Sequence, residues 1–264
     1  MMGKTFSFIG LIFLPLLLMG CRPDKTGDAN SELPPEILLA RLKSAHSRLQ
    51  DFKGSALVTV RLNGRRSRVS TRIRFRRPDH LKIFVQGGLR VIAVISIKQR
   101  AVQLYIPGEN VVFEGPIDDT DTLMPGLRVP LSDIRTASTG LIDLAPYVPE
   151  NITDYRQEGG HYHLSVMTNG RKRTILIDPG RTVVLREEEQ IPGGKTIVRT
   201  FDQYTLREGI WRPSEIQIES DTQDETLNLK YDMQSLNSGL TGSDLRMKLP
   251  GSVRHLPLSH MVAE

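Results

Sequence analysis

The chain has 264 residues, of which 39% are hydrophobic and 25% are charged, and its formal net charge is +5. This composition is typical of a folded globular protein, and it excludes collagen, a coiled coil and a largely disordered chain. Because Cys21 is the single cysteine, intramolecular disulfides, cysteine-based zinc sites, CxxC redox pairs and iron–sulfur clusters are excluded as well.

The first 21 residues have the pattern of a signal peptide. Lys4 supplies a positive charge, and the apolar segment 6–19 that follows is too short for a comfortable membrane-spanning helix. The sequence LLMGC that ends at Cys21 resembles the bacterial lipobox, in which the cysteine thiol receives a diacylglycerol and the preceding bond is cleaved. The resemblance implies that residues 1–20 are removed and that acyl chains such as palmitate anchor Cys21 in a membrane. The alternative is a plain signal peptide or an uncleaved anchor with a chance cysteine. Arg22 lacks the aspartate that retains enterobacterial lipoproteins in the inner membrane, so we expect the outer membrane, facing the periplasm.

The next two segments predict a tether and a helix. Residues 21–32 are polar and rich in turn-forming residues, so we expect a flexible tether behind the lipidated cysteine. Segment 33–52 predicts an amphipathic helix, because its apolar residues recur every three or four positions. Pro34 and Pro35 suit the first turn of that helix, and Gly54 lies just beyond its end.

From Ser55 onward the hydrophobic period changes to two, which is the period of a β-strand. Asn63-Gly64 predicts a tight hairpin turn, after which apolar residues alternate with arginines along a second strand. Further strands, separated by short turns, are predicted at 81–85, 91–97, 101–106, 111–114, 161–167, 173–177, 182–189, 196–206, 211–220 and 226–233, with a weak one at 245–249. A short helix is predicted near 132–138. This order favours an antiparallel meander in a single domain over 33–258, followed by a tail of residues 259–264.

The sequence holds no catalytic signature, since GxSxG, HExxH, Walker A and GxGxxG motifs are all absent. His161 and His163 would share one strand face as a metal pair, but two ligands without nearby carboxylates make a poor site, and a solvated strand face is the alternative. Strand alternation places Glu187 and Glu189 on one face and Glu188 on the other, and we interpret all three as a solvated strand end. We therefore expect no enzymatic activity, no bound metal and no cofactor.

Charge is distributed unevenly along the chain. Residues 53–100 hold thirteen basic residues and one acidic residue, whereas residues 101–264 hold sixteen basic and twenty-four acidic ones. We assign six arginines of the second strand to an anionic-surface patch: Arg65, Arg66, Arg68, Arg72, Arg74 and Arg76. This patch either faces anionic headgroups or lipopolysaccharide phosphates, or is neutralised within the molecule by acidic later strands or segment 118–121. A lipid anchor in the envelope excludes nucleic acid as a partner.

The apolar residues of the same strands are expected to share the concave face of the sheet. The residues that we assign to this face are Val58, Val60, Val69, Ile73, Phe75, Ile83, Val85 and Leu104. Either the helix over 33–52 fills the face as a dry core, or a cavity for acyl chains remains between sheet and helix. A curved sheet with only one or two helices is poorly filled, which favours the cavity.

Five segments, in their order, are similar to the LolA/LolB-like superfamily of bacterial envelope carriers of lipids and lipoproteins. They are the helix 33–52, RRP with LKI (76–83), AVQLYIP (101–107), LREGIWRP (206–213) and the tail 236–251. The resemblance implies a mainly β (α+β) fold, in which an N-terminal amphipathic helix and a short helical lid accompany a curved antiparallel half-barrel sheet. It also implies a monomeric, membrane-anchored carrier that binds lipid acyl chains or lipoproteins in a hydrophobic cavity, in lipid or lipoprotein transport or outer-membrane biogenesis. The alternative is a structural or protein-binding lipoprotein with a packed core, which acts through its arginine-rich face.

Overall fold

The computed structural model describes residues 33–62, 64–116, 122–124, 127–221 and 225–262, so the predicted signal peptide, Cys21 and segment 118–121 lie outside the described residues. β-Strands make up most of the described chain. In chain order the elements are α1 (Pro35–Ser47), β1 (Asp51–Leu62), β2 (Arg65–Arg76), β3 (His80–Gly87), β4 (Arg90–Lys98), β5 (Ala101–Ile106), β6 (Val111–Pro116), β7 (Thr122–Met124), β8 (Leu127–Pro130), α2 (Leu131–Thr139), a 3-10 turn (Pro149–Asn151), β9 (Ile152–Glu158), β10 (His161–Thr168), β11 (Arg171–Asp178), β12 (Val183–Ile191), β13 (Lys195–Asp202), β14 (Thr205–Arg207), β15 (Ile210–Arg212), β16 (Glu215–Ser220), β17 (Glu225–Leu236), α3 (Gly242–Leu245), β18 (Arg254–Pro257) and a second 3-10 turn (Leu258–Val262).

Fourteen of the described strands form one sheet, in the order β18-β6-β5-β4-β3-β2-β1-β17-β16-β13-β12-β11-β10-β9. Chain neighbours pair as antiparallel hairpins within each half, which confirms the predicted meander. The two halves join where β1 pairs with β17, with Val58 opposite Leu229. The sheet curves without closing, because β18 and β9 are its two edges. The predicted mainly β half-barrel with few helices is therefore confirmed.

The second strand shows why this sequence makes a two-faced sheet. Thr71, Ile73 and Phe75 are buried on the concave side, whereas Arg72 and Arg76 are exposed on the convex side, as a period of two requires. In the hairpin that leads into this strand, the last residue of β1 pairs with the first residue of β2, so the register agrees with the predicted tight turn. The second turn residue, a glycine, has a φ of 73°, which suits a residue without a Cβ.

The first helix is shorter than the predicted segment 33–52. It ends at Ser47, and the chain enters β1 at Asp51, so Phe52 is a strand residue instead of the last residue of the helical face. Tertiary contacts override the helical period here, because the Asp51 carboxylate accepts hydrogen bonds from the backbone amides of Ser238, Gly239 and Leu240 at 2.8, 3.1 and 3.2 Å. This clasp ties the start of β1 to the chain that leaves β17.

The C-terminal segment also differs from the prediction. The weak strand expected at 245–249 is wrong: residues Gly242–Leu245 form the helical turn α3, with a capping box between Thr241 and Asp244. The strand of this region comes later, as β18, and it pairs parallel with β6. Sequence periodicity also missed β9, whose residues alternate polar and apolar only weakly. These elements depend on distant partners, which local patterns do not encode.

Helices and aromatic rings fill one end of the concave face. Leu38, Leu39 and Leu42 of α1 are buried. Phe52 contacts Phe75 and Tyr231, with ring centroids 5.9 and 6.2 Å apart. This end of the half-barrel is a packed core.

Candidate functional site

The other end of the concave face holds a cavity of about 1040 Å³. Its walls come from β1 to β5 and from β17, because the residues on one face of these adjacent strands converge as the sheet curves. The side chains around it are mostly aliphatic: Val58, Val60, Leu62, Val69, Ile73, Ile83, Val85, Ile92, Ala93, Ile95, Leu104, Ile106, Leu227, Leu229 and Met261. A space of this size and lining suits an apolar ligand.

Helix α2 covers the cavity, with Ile134, Ala137 and Ser138 facing it. The helix is fixed to the sheet at its end, where the Tyr231 hydroxyl donates a hydrogen bond to the Ser138 carbonyl at 2.5 Å. It stops at Gly140, whose φ of 62° forms a left-handed cap. The expected short helical lid is therefore α2, whereas α1 does not line this cavity.

Seven of the eight residues assigned to the concave face by alternation line this cavity, and Phe75 does not. Phe75 points to the same face, but it lies farther along β2, in the aromatic cluster of the packed end. A face assigned by strand alternation thus covers both the core and the cavity. The contribution of Leu227 and Leu229 was missed, because only the pairing of β17 with β1 brings them to the site.

Polar groups are few in this lining. Thr71 is buried, and its hydroxyl donates to the Ala56 carbonyl at 3.1 Å, so its hydrogen bonding is satisfied within the sheet. Arg65 and Ser67 are exposed residues of the lining, at the turn end of β2. The structure therefore separates Arg65 from the other five arginines of the predicted patch, since odd-numbered residues of this strand face the cavity.

The remaining arginines lie on the convex face. Two of them lie in a groove that also contains glutamates, and others lie around an aromatic ring farther along the face. Arg66 and Arg68 line a groove that also includes Glu215 and Glu219 of β16, a strand separated from β2 by β1 and β17. The groove thus brings acidic residues of a later strand near the patch, as one of its two alternatives expects, but Arg61 and Lys230 line it as well, so the two glutamates offset its positive charge only in part. The alternative that involves segment 118–121 lies outside the described residues.

Farther along the convex face, three cations surround one aromatic ring. Arg72, Arg74 and Lys82 lie 5.8, 5.4 and 5.0 Å from the centroid of Phe84. Backbone carbonyls of the C-terminal segment cover two of these cations: Arg74 donates to Asp244 at 2.9 Å and Lys82 donates to Arg246 at 2.6 Å. Burial, with Arg74 nearby, lowers the pKa of Lys82.

The largest departure from the sequence interpretation is a buried ion cluster. The interpretation of 187–189 as a solvated strand end is wrong for Glu187 and Glu189, which are 3% and 2% exposed. The Arg199 guanidinium lies 2.6 Å from Asp133 of α2, 3.1 Å from Glu187 and 2.9 Å from Glu189. The predicted alternation holds, since these two glutamates share a face, but that face is covered by Tyr147 and α2.

Burial and ion pairing shift the pKa values of the carboxylates in this cluster in opposite directions. Burial raises the pKa of Asp133 and that of Glu187, although Arg199 opposes both shifts. At Glu189 burial acts in the same direction, but Arg199 and Arg173 outweigh it, so the pKa of Glu189 is lowered. The cluster joins α2 to β12 and β13, and it has the character of a structural support instead of a reaction centre.

Neither a metal centre nor a spanning helix emerges from the described residues. His163 lies 3.9 Å from Glu158, and the described part of the chain holds no group of three or more metal-ligating side chains around it or elsewhere. In the same residues, no helix is long and apolar enough to cross a membrane.

Comparison with solved structures gives similar folds at low sequence identity. A LolA superfamily protein from Nitrosomonas europaea matches with a TM-score of 0.60 and 12% identity, over 82% of this chain and 99% of that one. A DUF1329 family protein from Desulfovibrio piger matches with a TM-score of 0.60 and 14% identity, over 80% and 98%. A domain from Vibrio parahaemolyticus, assigned to outer membrane lipoprotein sorting, matches with a TM-score of 0.58 and 15% identity, over 80% and 97%. No family model and no curated protein matches the chain. The open half-barrel of this chain therefore has the same overall fold as these three structures, one of which is a LolA superfamily protein.

Proposed function

We propose that this protein is an envelope lipoprotein, anchored through Cys21, that binds lipid acyl chains in the cavity under α2 without catalysing a reaction. Acyl chains borne by lipoproteins belong to the same ligand class. The observation that carries the proposal is the aliphatic cavity of about 1040 Å³ between the concave sheet and the helix. The proposed place is the outer membrane, on its periplasmic side, in lipid or lipoprotein transport.

The size of the cavity supports this ligand class. Ligand pockets in proteins span about 300–1000 Å³, and this one lies at the upper end of that range. Each buried methylene contributes about 0.8 kcal/mol, so ten methylenes give about 8 kcal/mol before the cost of association is subtracted. Apolar burial alone therefore provides useful affinity, without a covalent step.

The position of the polar groups supports the same ligand. The lining is aliphatic around the body of the cavity, whereas the exposed Arg65 and Ser67 lie together at the turn end of β2. A ligand with an apolar chain and a polar head matches that arrangement, with its head near Arg65. The similar folds of a LolA superfamily protein and of a lipoprotein-sorting domain add support. The alternative, a structural or protein-binding lipoprotein with a wholly packed core, is less consistent with this cavity.

A carboxylate placed in the cavity wall tests the proposal. Val60→Asp puts a charge where an acyl chain would lie, while Thr59→Asp adds the same charge to the opposite face of the same strand. Val60 is only partly buried, so water can reach the new carboxylate and the fold survives. The mature chain, residues 21–264 with Cys21→Ser, serves as the parent for both variants.

Displacement of a fluorescent fatty acid measures binding, and circular dichroism verifies the fold. We expect Val60→Asp to weaken binding at least tenfold and Thr59→Asp to leave it within about twofold. Native mass spectrometry of the parent should also show co-purified lipid. A parent that binds no fatty acid, or equal binding by both variants, contradicts the proposal.

A further inference from the structure

A second cavity, of about 360 Å³, lies at the packed end of the half-barrel, apart from the acyl cavity. Its walls come from α1, from the chain that leaves α2 at Gly140, and from the β14–β15 hairpin. Four arginines line it: Arg41, Arg48, Arg181 and Arg212. None of the described residues that line it is an aspartate or a glutamate. The cavity is therefore strongly cationic.

Arg212 is the unusual member of this set, because its side chain is 1% exposed. Its Nε donates to Gln234 Oε1 at 3.1 Å, while its Nη2 has no hydrogen-bond partner among the described residues. No described carboxylate pairs with it, although its guanidinium lies 5.1 Å from the ring centroid of Phe52. A buried, unpaired guanidinium is costly to a fold, and such groups are characteristic of functional sites.

The neighbours of Arg212 do not supply the missing partner. The Tyr231 hydroxyl donates to Ser138, and the Tyr204 hydroxyl donates to Val184 at 2.6 Å, but neither phenol oxygen accepts a hydrogen bond from Arg212 among the described contacts. The C-terminal end of α2 faces the guanidinium, since a Cβ on Gly140 would lie 3.3 Å from each of its Nη atoms. That helix end attracts the cation but accepts no hydrogen bond from it among the described contacts.

The positive potential of the cavity acts on a neighbouring side chain as well. His46 also lines the cavity, and its pKa is lowered to about 4, first by burial and then by Arg77 and Arg212. Arg181 is partly compensated, since its Nε lies 3.6 Å from Asp178 and its guanidinium stacks 5.2 Å from the Trp211 ring centroid. Arg48 has no such carboxylate among the described residues.

We propose that this second cavity binds a phosphate-type oxyanion, with Arg212 at its floor and Arg41, Arg48 and Arg181 at its rim. Guanidinium groups match the oxygens of phosphate in geometry and charge, and a bound dianion would supply the counter-charge that Arg212 lacks. The oxyanion is either free phosphate or the phosphate of a lipid headgroup, and both present the same oxygens to the arginines.

The tryptophan of the cavity wall provides the assay, since Trp211 is the single tryptophan of the chain. Its fluorescence is recorded on the full chain in detergent while inorganic phosphate, glycerol 3-phosphate or glycerol is added at constant ionic strength. We expect a saturable change with one or both phosphates and none with glycerol. Tighter binding of glycerol 3-phosphate identifies a headgroup, and tighter binding of inorganic phosphate identifies the free ion.

Three variants assign the response to the cavity. Arg212→Met should weaken phosphate binding at least tenfold, and Arg48→Gln on the exposed rim should weaken it about threefold to tenfold. Arg68→Gln removes the same charge from the convex face and should leave the affinity within twofold. If Arg212→Met does not fold, Arg48→Gln carries the test, because Arg48 is exposed.

A melting temperature separates a binding role from a structural one. Phosphate should raise the melting temperature of the parent and of Arg68→Gln, but not that of Arg212→Met. At the same phosphate concentration, the increase for Arg48→Gln should be smaller than that for the parent. A parent without a saturable response to either phosphate overturns the proposal. An undiminished response in both Arg212→Met and Arg48→Gln overturns it as well.

Discussion

Removal of Arg199 should destabilise the fold severely, because it leaves buried carboxylates without their common partner. The side chains of Arg199, Asp133 and Glu187 are 5%, 2% and 3% exposed. Breaking a buried ion pair from one side costs about 3–5 kcal/mol. Arg171 and Arg173 still pair with Glu189 at 3.2 and 2.9 Å, so the uncompensated charges are chiefly those of Asp133 and Glu187. We therefore expect Arg199→Met to lose about 3–5 kcal/mol of unfolding free energy at neutral pH.

The loss should also depend on pH with a definite sign. Burial already raises the pKa of Asp133 and that of Glu187 in the folded state, and Arg199 is the main opposing influence on both. Without Arg199 the two folded-state pKa values rise further above those of the unfolded chain. A group of this kind contributes its stability below the unfolded pKa and loses it as the pH rises through the folded pKa. The deficit of Arg199→Met should thus be larger at pH 7.5 than at pH 5.

Urea unfolding, followed by circular dichroism at both pH values, measures this effect. With an m-value of about 3 kcal/mol/M, the expected loss shifts the midpoint by about 1–1.7 M. Arg186→Met is the matched control, since Arg186 lies on the same sheet and pairs with Glu188 at 3.3 Å on the solvated face, where a pair contributes about 0–1 kcal/mol. A loss below about 1 kcal/mol for Arg199→Met, or a loss that does not change with pH, would refute the reasoning.

Three further changes test other parts of the molecule. Phe75→Ala should lower the free energy of unfolding by about 3–5 kcal/mol in urea, because the ring is 6% exposed and packs on Phe52. Arg74→Ala should lower it by about 1 kcal/mol, through loss of the hydrogen bond to the Asp244 carbonyl. The reverse order would show that the two faces of β2 are exchanged. Asp51→Ala should release the amides of 238–240, so hydrogen exchange should accelerate there and not in β10; unchanged exchange would contradict the clasp. Cys21→Ser should block lipidation, since oxygen cannot replace the thioether-forming sulfur, and should remove the protein from the membrane fraction or leave it as a precursor; unchanged membrane retention of a chain with a cleaved N-terminus would contradict the lipobox.

Local periodicity predicted what depends on neighbouring residues. The faces of β2 and the tight hairpin before it follow from alternation and turn chemistry, and the short helix predicted near 132–138 lies within α2, although its N-cap is Pro130. The extent of α1 did not follow, because Asp51 and Phe52 are drawn into β1 by partners in the segment after β17. Distance along the chain, and not weak propensity, is the reason for this error.

The two cavities also show that sequence patterns do not predict which distant segments come together. Most of the acyl cavity was predictable from one strand face, but its boundary with the packed core was not, as Phe75 shows. The cationic cavity was not predictable at all, because its arginines share no motif. They come from α1 and its C-cap, from the turn that precedes β12, and from β15. Glu187 and Glu189 were misjudged for a related reason: their charge suggested solvent, and only the fold brings Arg199 and Asp133 to them.

The pairing of β1 with β17 has a consequence for how the chain reaches its native state. β1 obtains one partner at once, through the hairpin with β2, but its other edge waits until the residues around Leu229 have been synthesised. Pairings so remote in sequence make folding slow, because the loop entropy is lost before the contacts form. Until β17 is available, β1 has an unpaired edge next to an apolar face, and this combination favours aggregation with other chains. A nascent chain of this protein therefore needs shielding until β17 emerges, and a chain truncated before β17 should aggregate instead of folding as half a sheet.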